Sequence, residues 1–90
     1  MSKRIVFEVI EQIDLTKASA KLYESKEDAW KNIGYMVDKF VKFVEEHKNA
    51  VDITGFEIDP EQSIVCIEYV YKKNHTTQYR FYEIKTRFIF

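Results

Sequence analysis

The sequence predicts a two-layer α+β domain, with one long helix lying across an antiparallel sheet of four to five strands. Three observations carry that prediction. Ser25 to Lys48 is the only long stretch with helical periodicity. The segments on either side alternate in the manner of strands. The connections between the last three strand segments are too short for a crossover, so those strands form an antiparallel meander.

Taken in order, Arg4 to Gln12 reads as the first strand. Ile5, Phe7 and Val9 alternate with Val6, Glu8 and Ile10, so both faces carry apolar groups. Ile13 and Leu15 keep the first phase and extend it. Thr16 to Ala20 is expected as a loop, and Lys21 to Glu24 as a short second strand leading into the helix.

In the helix, Trp30, Ile33, Val37, Phe40 and Val44 recur at steps of three and four. Ala29, Met36 and Phe43 widen that stripe on one side and Val41 on the other. The apolar arc spans about 160° at roughly 100° per residue. Lys31, Asp38, Lys42, Glu45 and Glu46 lie opposite. Ser25 is the expected N-cap, and Glu27 and Asp28 suit the positive end of the helix dipole. Gly34 costs up to about 1 kcal/mol against alanine inside a helix, and close approach of a strand would explain it. Wound fully, the segment is about 35 Å long, which strands of about ten residues match.

After the helix, Val51 to Ile58 reads as a strand whose apolar phase changes at Gly55, the mark of a bulge. Asp59-Pro60-Glu61-Gln62 suits a type I turn, with proline at its second position. Ser63 to Lys72 alternates most cleanly: Val65, Ile67, Tyr69 and Tyr71 against Ile64, Cys66, Glu68 and Val70. Lys73 to Thr76 turns the chain into a final segment, Thr77 to Phe90. There Tyr79 and Phe81 share one phase, and Tyr82, Ile84, Phe88 and Phe90 the other. A bulge near Phe81 would reconcile them within one strand, or the segment divides into two.

The totals bound the function. Ninety residues make one domain with a modest core. A net charge of −1 gives no overall pull toward nucleic acid or anionic membrane. A single cysteine, Cys66, forms no internal disulfide, and no apolar run approaches spanning length, which together predict a cytoplasmic protein.

Converging chemistry is missing from the sequence. His47 and His75 have no ligand-spaced partners. His47 is expected to cap the helix by bonding its last carbonyls, and Cys66 to be a small sheet residue rather than a nucleophile. No phosphate-binding or nucleophile motif is present. The expectation is a chain with no enzyme activity, no cofactor and no metal site.

Two features remain. Asn49 to Glu68 carries five acids and no base, whereas Tyr69 to Phe90 carries Lys72, Lys73, Arg80, Lys85 and Arg87 against Glu83 alone. Pairing of acidic and basic strands across the ladder is the favoured explanation. A single-stranded nucleic-acid platform of Tyr71, Lys72, Lys73, Tyr79 and Arg80 is the alternative. The second feature is the sheet face that one helix leaves bare. If Phe7, Val65, Ile67 and Tyr69 meet the helix, then Val6, Ile10, Ile64, Cys66 and Val70 face away, with Phe81 among them. Such a patch marks an association surface, and an apolar final strand left at an edge would itself want cover.

The leading expectation is therefore a small interaction module, of the kind an inhibitor, an adaptor or an accessory protein of a mobile element would be. It docks on a protein partner or a second copy of itself, with Val6, Ile10, Val70 and Phe81 at the apolar centre and Lys85 and Arg87 at the rim. A third reading, a small enzyme or ligand carrier, requires a cavity between helix and sheet.

Overall fold

In the computed structural model, residues 4–14 and 16–89 are described, with the side chains of Ser19 and Ala20 excepted. The expectations for Leu15 and Phe90 lie outside the described residues. Six elements follow one another: β1 (Arg4–Ile13), β2 (Thr16–Tyr23), α1 (Lys26–Glu46), β3 (Val51–Asp59), β4 (Ile64–Tyr71) and β5 (Thr76–Ile89). The five strands make one sheet in the order β2-β1-β5-β4-β3, antiparallel throughout, and α1 packs on one face. This is the two-layer α+β arrangement that the patterning predicts.

The local signals act where they stand. Ser25 Oγ accepts from the Asp28 backbone N–H at 3.1 Å, which starts α1. At its end the His47 backbone N–H bonds to the Val44 carbonyl, and His47 Nδ1 lies 2.8 Å from the Phe43 carbonyl oxygen. The imidazole thus satisfies a carbonyl that the helix leaves free. In the β3–β4 turn, Asp59 Oδ1 accepts from the Gln62 N–H at 3.1 Å. The β3–β4 register skips Thr54, so the bulge falls beside Gly55 as expected. Gly55 is needed there for space, not for backbone freedom. A Cβ would sit 3.3 Å from Glu68 Cβ, and no glycine has a positive φ.

Four expectations are corrected. Residues 16–20 are strand, not loop. Asp14 adopts a left-handed φ of 55° and turns the chain within two residues, so Thr16 already pairs with Ile13. Ladder pairing with β1 overrides a composition that signals no strand by itself. Gly34 has nothing within 4 Å of a Cβ built on it, so no strand approaches it. β5 is one strand with unbroken register to both neighbours, and no bulge occurs at Phe81. It needs none, because its two apolar phases serve two different faces. Last, β5 is the central strand, with its final residues paired to β1 rather than left at an edge.

The core lies between α1 and the sheet. Ala29, Ile33, Phe40 and Val44 of the helix meet Val9, Val51, Val65, Ile67, Tyr69, Tyr82 and Ile84, all at most 8% exposed. Because α1 follows one edge strand and precedes the other, it must cross the whole sheet. At 21 residues it spans about 31 Å, whereas five strands span only about 19 Å, so it crosses diagonally. Two corners of the covered face therefore stay open. One is at β3, where Phe56 and Ile58 are 46% and 56% exposed. The other is the corner of β1 and β5 beside Glu11 and Arg80.

Candidate interaction surface

Alternation sends every second residue of these strands to the face without a helix. The registers place its cross-strand rows. One row runs Lys17, Gln12, Phe81, Cys66, Glu57 from edge to edge, and the next includes Ile10, Glu83, Ile64 and Asp59. Ile10, Phe81, Cys66 and Ile64 are thus neighbours on this face, each half-buried. Tyr79, 41% exposed, stacks on Phe81 with ring centroids 6.2 Å apart and lengthens the patch.

All six residues singled out from the sequence stand in positions of this face, yet they do not form one centre. Ile10 and Phe81 are in the patch. Val70 is paired with Thr77, one row beyond Glu68 and Tyr79 and two beyond Cys66 and Phe81. Val6 is 3% exposed and lies outside the main core cluster, so it is closed to a partner and leaves the proposed contact. Its partner across the ladder, Arg87, pairs with Glu8 at 2.8 Å, while Lys85 pairs in register with Glu8. The patch members missing from that set, Ile64, Cys66 and Tyr79, share its strand phases, which was the signal available for them.

The charge on this face is divided. Lys17, Lys85 and Arg87 surround a recess of about 270 Å³ with Glu8 and Ile10. Asp52, Glu57 and Asp59 stand on β3, at the opposite edge. Acidic β3 and basic β5 are not neighbours, because β4 lies between them. Cross-ladder neutralisation therefore fails for β3, and among the described residues no ion pair engages its three acids. Glu68 is tied instead to the Thr54 hydroxyl, which donates to it at 2.8 Å.

Burial, then the carboxylates of Glu57 and Glu68, push the Cys66 thiol above its ordinary value, which lowers its thiolate fraction at neutral pH. Glu68 likewise raises the Tyr79 hydroxyl, with a smaller contribution from desolvation.

The five residues of the alternative nucleic-acid platform are not brought together. Tyr71 and Arg80 lie on the helix side, Lys72 and Lys73 in the β4–β5 turn, and Tyr79 on the bare face. Lys72 Nζ is committed to the Lys48 carbonyl at 2.6 Å.

No helix among the described residues is long and apolar enough to cross a membrane. Compared with known proteins, the chain matches no family model, no curated protein and no solved structure.

Proposed function

We propose that this chain is a small, non-catalytic, cytoplasmic interaction module that works by docking the bare face of its sheet, and that a second copy of the chain fits that face. The observation that carries the reading is the row Lys17–Gln12–Phe81–Cys66–Glu57. It has a base at one edge, an acid at the other and an aromatic ring at its middle. A two-fold axis through Phe81 and parallel to the strands lays Glu57 of each copy over Lys17 of the other. Sheets stacked in this way sit about 10 Å apart, and their apolar side chains fill the space between. A two-fold contact is self-complementary by construction, so one base–acid row supplies two ion pairs.

The test is mass in solution by light scattering on a sizing column, at low and moderate salt. The expected result is twice 10.8 kDa. Lys17→Glu and Glu57→Lys each weaken the dimer several-fold, and together they restore it. A monomer at every concentration, or a folded Phe81→Glu variant with unchanged mass, overturns the self-docking reading.

A further inference from the structure

The open corner beside Glu11 and Arg80 is a cleft of about 410 Å³ between the second half of α1 and the sheet. That is the volume range of sites for small organic ligands. Its apolar wall comes from Met36, Phe40 and Phe43, and its floor from β5. Two side chains of that floor carry polar atoms that the protein leaves unused. Tyr82 is fully buried, and its hydroxyl, though it lies near Arg80 and Glu11, makes no hydrogen bond of normal geometry within the protein. Arg80 Nε is buried and also without a partner. Buried donors are nearly always satisfied, and each one left open costs roughly 1–3 kcal/mol. Two of them lining one cleft are a pair of donors waiting for an acceptor.

The chemistry of that acceptor follows from the walls. Phe40 lies 4.3 Å from the Arg80 guanidinium carbon, so the ring fixes the plane of the fork. The nearest carboxylate, Glu11, stands at 4.0 Å from Arg80, too long for a direct hydrogen bond, and the neighbouring Tyr69 and Tyr82 hydroxyls cannot engage all of its N–H groups, so the fork keeps donors to spare. Lys39 adds a second positive charge to the lining, which leaves it net cationic against Glu11 alone. Burial raises the Tyr82 hydroxyl, more than the opposing effect of Arg80 lowers it, so the group stays a neutral donor.

From this geometry we infer that the cleft binds a small organic carboxylate, with the carboxylate taken by Arg80 and the Tyr82 hydroxyl and its apolar body lying along Met36, Phe40 and Phe43. The site is on the helix side of the sheet and is independent of docking through the bare face.

Phenylacetate is the probe, with phenylacetamide as its uncharged counterpart and inorganic phosphate as the anion without an apolar body. Binding is followed on the whole chain by backbone amide NMR. Phenylacetate is expected to bind with a dissociation constant of about 1 mM, shifting Phe40, Arg80 and Tyr82. Phenylacetamide and phosphate are expected to bind at least tenfold more weakly. Arg80→Gln is expected to lose about tenfold in affinity, as befits a charge-assisted pair. Tyr82→Phe removes a hydroxyl that makes no hydrogen bond of normal geometry in the protein, so it is expected to change stability little while losing several-fold in affinity. Equal binding of phenylacetate and phenylacetamide, no shift at the cleft, or affinity unchanged in a folded Tyr82→Phe chain overturns the inference.

Discussion

The two faces of this sheet are made by the same strands from similar residues, yet only one of them is closed. On the covered face Ile67 and Tyr82 are fully buried. One residue away on each strand, Cys66 and Phe81 are half-buried. Apolar content alone does not separate the two phases of β4 or β5. The separation comes from one amphipathic helix, which has a single stripe to bury and seals the phase beneath it. The other phase keeps apolar residues that a purely solvated face would not need, and it intersperses them with charges of opposite sign at opposite edges.

That contrast can be broken most sharply at adjacent positions of β4. Ile67→Ala is expected to cost about 2–5 kcal/mol, the usual range for a fully buried isoleucine, as read from urea unfolding. Cys66→Ala, next to it on the bare face, is expected to cost less than about 1 kcal/mol. Equal losses would mean that the bare face is as closed as the other. On β5, Phe81→Glu is expected to leave the far-UV spectrum intact while abolishing the proposed self-association, since its ring has no helix above it.

The two faces also raise tyrosines for different reasons. Tyr69 and Tyr82 are raised chiefly by burial, whereas Tyr79 is raised first by Glu68. For the buried pair the folded value exceeds the unfolded one, so their contribution to stability is complete below about pH 10 and declines as pH climbs through the raised values. Tyrosinate absorbance should therefore show Tyr69 and Tyr82 ionising only with alkaline unfolding. Tyr79 should ionise in the folded chain, and Glu68→Gln should move it back toward the ordinary value. Cys66 should react sluggishly with iodoacetamide at neutral pH and faster as pH rises beyond the usual thiol range, and more slowly again at high protein concentration if the proposed self-docking covers it. The smallest expected change is on the helix surface. Gly34→Ala should stabilise the chain by up to about 1 kcal/mol in thermal melts, because nothing occupies the space its methyl would take.

Much of the fold was legible because its signals are local. The Ser25 cap, the stripe from Trp30 to Val44, the Gly55 bulge and the Asp59-Pro60 turn each act within a few residues, and each appears where it was read. What the sequence hid depends on distant partners. Lys17 and Ala18 are the exception: their partners Gln12 and Glu11 are close in sequence, but the composition of residues 16–20 carries no strand signal of its own. The order of the sheet decided that acidic β3 and basic β5 are parted by β4, so charge balance between segments was misleading. The interaction residues were legible as a phase, and the structure alone showed that Val6 is closed and that Lys17 and Glu57 end the same row. The cleft at Arg80 follows from the tilt of α1, which no alternation pattern contains.

The central position of β5 has a consequence during synthesis. It is the last of the six elements to emerge, and β1, the first, pairs Arg4 with Ile89 and Ile13 with Arg80. Until β5 arrives, the β1–β2 and β3–β4 hairpins have no strand to join them, and each exposes an apolar edge. A nascent chain at that stage can hold at most a helix and two hairpins not yet joined, the kind of species that chaperones hold. Closing a ladder between opposite ends of the chain also makes folding slow for a protein of this size, because loop closure precedes every contact that rewards it.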